Sequence, residues 1–185
     1  SDLARSLPHD ISNALAAAAT AIAAGAEHSA VSEVLESFEG LEHRVQLVAD
    51  QAGIRWYNDS KATTPHAVMA GVEGFDSAVL IAGGRNKGVD LTPLRSLASR
   101  LRAVVAIGEA APEIADVFDG LVPVVSAPSM EDAVSVARDL ARSGDVVVLS
   151  PACTSYDWYA NYGVRGDDFM RLVGELLAQG DVVSS

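Results

Sequence analysis

Ala78-Val79-Leu80-Ile81-Ala82-Gly83-Gly84-Arg85-Asn86-Lys87-Gly88 is an apolar run that breaks into a glycine-rich, basic loop. A strand with no polar face is covered on both sides, which is the habit of a parallel sheet. Loops that leave the carboxyl ends of such strands are where ligands bind. Gly83 to Gly88 offers backbone N–H groups without side-chain obstruction, together with a lysine. It has neither G-x-G-x-x-G nor G-x-x-x-x-G-K-[ST] spacing, so a tight turn that needs glycine is the plainer reading of this loop alone.

Downstream the rhythm repeats. Pro93 to Leu101 reads as a helix with Thr92 as its cap. Strand 103–107 leads to a helix near Pro112 to Phe118, and strand 122–125 to a helix over 131–142, where Ser129 and Asp132 resemble a capping box. The run 146–149 ends in Ser150-Pro151-Ala152-Cys153-Thr154-Ser155, and a last long helix covers 166–178. Upstream, Val45, Leu47 and Ala49 alternate with polar residues, residues 50–53 are turn-like and 54–57 return, which makes a hairpin. The polar tract Asn58-Asp59-Ser60-Lys61-Ala62-Thr63-Thr64-Pro65 follows, then a short helix over 64–72. The predicted fold over roughly residues 41–180 is α/β, a doubly wound, Rossmann-like, mostly parallel sheet with an N-terminal hairpin.

Residues 1–40 read differently. Ser12-Asn13 precede the alanine-rich run 14–24, Gly25 stops it, and a second helix starts near Ser29. These helices have no sheet of their own to cover and look like the end of a preceding domain, with residues 40–44 as linker. The chain opens at Ser1 inside an apparently functional segment, which suggests a piece of something longer.

Composition narrows the partners. In 185 residues, 49% are hydrophobic and 21% charged, as in a soluble globular protein. Thirteen Lys+Arg against twenty-five Asp+Glu give a net charge of -12, which repels nucleic acid and anionic membranes. An anionic ligand must therefore be captured by a few placed cations, and the only lysines are Lys61 and Lys87. The single cysteine, Cys153, permits no internal disulfide and reads as a small buried hydrophobe. The tract 14–24 is too short to span a bilayer and nothing resembles a signal peptide, so a cytoplasmic protein without membrane insertion is expected.

Lys61, Thr63, Lys87 and Ser155 all fall at one edge of the predicted sheet. Two cations with several hydroxyls suit a small dicarboxylate. Tyr156, Trp158, Tyr159 and Tyr162 beyond Ser155 read either as pocket walls or as a plug over the core. No catalytic residue and no metal set is indicated: His9, His28, His43 and His66 lack ligand spacing, and no nucleophile–base order occurs.

Asn58-Asp59-Ser60-Lys61-Ala62-Thr63, the Gly83-Gly84-x-x-Lys87 loop, and Ser150-Pro151-Ala152-Cys153-x-Ser155-x-Asp157 with Arg165-Gly166 resemble the C-terminal domain of the Mur ligases, in the branch that adds D-glutamate. Pro8-His9-Asp10-Ile11-Ser12-Asn13-Ala14 resembles the helix ending the family's central ATPase domain, with Asp10 where asparagine is usual. Gly40-Leu41-x-His43-Arg44 resembles its interdomain linker. The resemblance implies that 1–40 is the tail of an ATP-binding domain and 41–185 a C-terminal Mur ligase domain. It implies ATP contacts by Asn13 (adenine), Arg44 (base) and Asp59 (ribose), and a D-glutamate pocket of Lys61, Thr63, Lys87 and Ser155. Tyr156 and Tyr162 stand where the family has leucine-like and phenylalanine-like pocket residues.

The implied activity is ATP- and Mg-dependent joining of D-glutamate to UDP-N-acetylmuramoyl-L-alanine in peptidoglycan synthesis, with the phosphate, metal and UDP-sugar sites upstream and this chain silent by itself. Another Mur-type or folylpolyglutamate-type ligase domain, or a non-catalytic nucleotide- or partner-binding module, are the alternatives.

Overall fold

The computed structural model describes residues 8–38 and 40–183, which form two compact units, Ser1–Glu42 and His43–Ser185. The first unit holds α1 (Pro8–Ala23) and α2 (His28–Ser37), separated by Gly25 in left-handed geometry (φ 96°). The helices pack on one another, yet α2 buries none of its residues. Ile11, Leu15, Ile22, Val34 and Phe38 are all exposed. A helix pair this apolar on its surface has the composition of elements that cover a larger core.

The second unit is a six-stranded sheet in the order β1-β2-β6-β3-β4-β5. Its strands are β1 (Gln46–Gln51), β2 (Ile54–Asn58), β3 (Ala78–Gly83), β4 (Leu101–Ile107), β5 (Val124–Ala127) and β6 (Val146–Ala152). Only β1–β2 is antiparallel; every other pair is parallel. The hairpin turns through Ala52 (φ 54°) and Gly53 (φ 76°), two successive left-handed residues as a two-residue hairpin loop requires. Every residue of β3 and β6 is buried, which is why those strands carry no alternation in sequence.

Helices cover the sheet on both faces. α3 (Pro65–Val72), the 3₁₀ segment Thr92–Arg100 and α4 (Ala111–Phe118) pack in series on one side, while α5 (Met130–Leu140) and α6 (Tyr162–Val183) pack together on the other. On the α5/α6 side Val79, Ile81, Val105, Ile107, Val147 and Leu149 meet Ala133, Ala137, Phe169 and Val173. Because β3 leads to one face and β6 to the other, the sheet changes winding direction between these two strands. That is the switch point at which doubly wound sheets open a crevice.

Several element bounds differ from the sequence reading, each for a local reason. Residues 92–100 form 3₁₀ rather than α-helix. Nine residues of 3₁₀ rise about 18 Å against about 13.5 Å for α, which returns the chain along the sheet before β4 begins at Leu101. Thr92 does not cap this segment; its N–H and hydroxyl donate to the Asp90 carboxylate, each at 2.9 Å. β5 starts two residues later than expected, after Pro123. β6 runs on through Ser150-Pro151-Ala152, with the ladder to β3 irregular where Pro151 has no N–H to give.

The last helix starts at Tyr162, a turn earlier than expected, because Asn161 Oδ1 accepts from the Val164 amide at 2.9 Å. Ser129 does cap α5, accepting from Asp132 N–H at 3.1 Å. The shorter Asp carboxylate takes the Ser129 hydroxyl at 2.6 Å.

Candidate functional site

The carboxyl ends of β2, β6 and β3 lie side by side, because those strands are neighbours and parallel. Three loops leave there: Asp59–Thr64, Gly84–Lys87 and Cys153–Ser155. Backbone bonds tie them together. Ala152 N–H donates to Ala62 O at 2.9 Å, Arg85 N–H to Thr154 O at 2.8 Å and Thr154 N–H to Arg85 O at 3.1 Å. The Thr154 hydroxyl adds a bond to Arg85 O at 2.9 Å. Glycine is required at Gly84 (φ 123°), where a Cβ would lie 2.3 Å from Thr154 O.

The cations stand at the rim. Lys61 and Lys87 are both exposed, and neither ammonium has a carboxylate partner among the described residues. Instead Lys61 Nζ lies 5.8 Å from the Tyr162 ring and Lys87 Nζ 5.3 Å from the Tyr156 ring, contacts that orient a cation without neutralising it. Arg85 on the same loop is different, because both its guanidinium arms go to Glu109 at 2.9 and 2.7 Å. Each of the two then favours the other's charged form, so Arg85 titrates above and Glu109 below its ordinary value.

Thr63 is partly buried and Ser155 buried, and Ser155 O accepts from Trp158 and Tyr159 N–H. Tyr156, Trp158 and Tyr162 are exposed, so the plug reading fails; a plug would have buried them. Only Tyr159 turns inward, donating its hydroxyl to Asp168 at 2.7 Å.

Asp59 is buried, 3% exposed. One carboxylate oxygen accepts from the Ser150 hydroxyl at 2.6 Å and the other from Val45 N–H at 3.3 Å. Arg44 is exposed and lies between two left-handed residues, His43 and Val45. Asn13 is exposed on α1, in the other unit.

Two residues at the site stand in the motifs quoted for the resemblance but were given no role in it from sequence. His43, read as linker, is buried. Its ring nitrogen pairs with Asn58 Nδ2 at 2.9 Å, its carbonyl accepts Lys61 N–H at 3.1 Å, and its ring meets Tyr162 edge-on at 6.0 Å. Arg165, in the first turn of α6, is 1% exposed. A signal for it existed: Arg165, Phe169, Leu172 and Val173 fall on one helical face, and the other three are apolar.

Cys153 is the small buried residue anticipated. Burial pushes its thiol from an ordinary 9.0 to about 12. At pH 8 a thiol of that pKa is a thiolate about a thousandfold less often than an ordinary one. The folded chain should therefore resist a disulfide reagent and react only once urea unfolds it; rapid labelling of the native chain would contradict this. Because the folded value is raised, the stabilisation it represents is complete below pH 9 and is lost as pH rises from about 9 to about 12. Tyr159, raised by burial and by Asp168, acts in the same direction.

Comparison with known proteins bears on these loops. The family model described as Mur ligase, glutamate ligase domain matches residues 43–153, more than half of the chain. Enzymes named UDP-N-acetylmuramoylalanine--D-glutamate ligase are 44% identical over 95% of the chain (Nitrosococcus oceani) and 47% identical over 91% (Salinibacter ruber). The chain spans 40% and 37% of their lengths.

Among solved structures, the UDP-N-acetylmuramate-alanine ligase of Thermotoga maritima superposes with TM-score 0.65 at 18% identity, over 91% of this chain and 38% of that one. The MurF ligase of the same organism superposes with TM-score 0.58 at 14% identity, over 87% and 36%. At such identities the likeness is one of fold. Together with the family match over the second unit, it shows that the chain belongs to the Mur ligases through their glutamate ligase domain.

Proposed function

We propose that this chain is the C-terminal part of the ATP-dependent ligase that joins D-glutamate to UDP-N-acetylmuramoyl-L-alanine in the cytoplasm, residues 41–185 being its C-terminal domain and 1–40 the tail of its ATP-binding domain. The observation that carries the reading is the pair of ammonium groups, Lys61 and Lys87, which have no carboxylate partner among the described residues and stand beyond β2 and β3, the two strands that flank β6, in a chain with net charge -12. D-glutamate has two carboxylates. One lysine for each leaves the amine unpaired and directed away from the cations.

Thr63 and Ser155 supply hydroxyl donors to the same carboxylates, and Tyr156 and Tyr162 back the two lysines. Orienting the amine in this way is the contribution such a domain makes to amide formation, because it turns an encounter between two substrates into a positioned attack. Asn13 and Arg44 take the adenine side of ATP, and Asp59 the ribose by exchange of its Val45 bond. Among the described residues no group of three His, Cys, Asp or Glu side chains is placed to hold a metal. The reading puts the Mg and triphosphate contacts in the preceding part of the enzyme, where ATP converts the substrate carboxylate to an acyl phosphate. The exposed apolar side chains of α1 and α2 have their partners there as well.

The test is ligation by the enzyme expressed from the complete reading frame, with D-glutamate, L-glutamate and neutral amino acids offered in turn. ADP release that requires both UDP-N-acetylmuramoyl-L-alanine and D-glutamate is the expected result, with none from the 185-residue chain alone. Preference for another amino acid, or turnover by the isolated chain, would refute the reading.

A further inference from the structure

Arg165 is the residue on which the three loops converge. Its Nε donates to Ser60 Oγ at 3.0 Å and Nη2 to Ser60 O at 2.9 Å. Nη1 and Nη2 both reach Cys153 O at 3.2 Å. A Cβ at Gly84 would stand 3.2 Å from Nη1, so the guanidinium is also packed against the third loop. Ser60 precedes Lys61, Cys153 lies two residues before Ser155, and Gly84 begins the loop that carries Lys87. The Ser60 hydroxyl passes the chain of bonds on, donating at 2.7 Å to the backbone carbonyl of Tyr162, the residue whose ring faces Lys61.

No carboxylate accepts from Arg165 among the described residues; every acceptor is a carbonyl or a hydroxyl. Burial lowers its pKa to about 10, and Asp157 opposes that shift, so the group is charged at neutral pH. A buried cation without an acid partner is a poor way to stabilise a core, since an apolar side chain of similar volume avoids the desolvation. What a guanidinium does supply is a rigid planar fork that fixes several acceptors at once, and a positive charge beneath the surface.

We propose that Arg165 is a positioning residue for the amino-acid pocket. It holds the Lys61, Lys87 and Ser155 loops in register and adds a third positive charge under the site that receives the dicarboxylate. The inference rests on the proposed function for its ligand and on the hydrogen-bond geometry for its mechanism, and the two are tested separately.

The first arm needs no ligand. In the 185-residue chain, hydrogen exchange at the Ser60, Arg85 and Thr154 amides should quicken about 10-fold or more in R165M and less in R165K, with the central strands β3 and β6 still protected. Unchanged exchange in all three loops would overturn the positioning role. The second arm uses the complete ligase. R165M should raise KM for D-glutamate about 10- to 100-fold, the worth of a lost charge-assisted contact, while KM for ATP changes less than about threefold; R165K should recover part of the loss by restoring charge. A D-glutamate KM unmoved in R165M, or an equal rise for both substrates that R165K does not relieve, would overturn the inference. Should R165M not fold, R165K alone decides: a rise confined to D-glutamate supports the inference, and wild-type constants or an equal rise for both substrates refute it. Failure of the wild-type enzyme to use D-glutamate would refute the functional reading and leave the exchange arm standing.

Discussion

Replacing Gly83 with alanine should cost the chain about 4 kcal/mol or more, a large fraction of the roughly 5–15 kcal/mol that holds a typical domain folded. Gly83 closes β3 with φ 129°, and a Cβ there would lie 2.0 Å from Ile107 O and 3.0 Å from Ile107 N. Both obstacles are backbone of the adjoining strand, and Ile107 O also accepts the Gly84 N–H at 3.0 Å. Nothing at this contact can rotate away. Gly88 provides the control: it too is left-handed, φ 79°, but a Cβ there meets nothing within 4 Å. Gly88→Ala should cost only the conformational penalty of about 1–2 kcal/mol. Urea unfolding of the two variants separates the effects, and equal shifts of the midpoint would show that conformation, not collision, governs Gly83.

Lys87→Ala in the complete ligase should raise KM for D-glutamate about 10- to 100-fold with little change in KM for ATP, because one charge-assisted hydrogen bond is worth about 1.5–3 kcal/mol. Arg85→Ala, two residues earlier on the same loop, should change either constant less than about threefold, since Arg85 is already committed to Glu109. This contrast tests placement and not merely charge. An effect of Lys87→Ala on ATP alone would reverse the division of roles, and equal effects of the two substitutions would reduce the loop to a source of general positive potential.

The sheet was legible because a strand buried on both faces has to be apolar throughout, as 78–82 and 146–149 are. The site loops were legible because polar and glycine residues began where those runs stopped. The kind of helix at 92–100 was not, since α and 3₁₀ use the same residues and the choice depends on how much sheet the segment must traverse. Nor was the end of β6, where Ser150 and Pro151 look like loop but are held between β2 and β3.

The roles of His43 and Arg165 escaped for a common reason, although both residues stand in the quoted motifs. Their partners, Asn58 and Ser60, are 15 and 105 residues away, and local pattern carries no information about such contacts. The fate of the aromatics beyond Ser155 was open because ring composition is the same for a plug and for an exposed wall.

His43 also fixes how the second unit begins. It is the first residue of the second unit, yet its ring is pinned to Asn58, its carbonyl to Lys61 N–H, and its N–H to Gln46 Oε1 at 3.0 Å. Gly166 lets α6 lie against it, for a Cβ there would be 2.3 Å from His43 Nδ1. Mechanically, His43 is a bolt and not a tether. The second unit is thereby fixed from its first residue, with Lys61 and the start of α6 fastened to the chain's entry into the sheet.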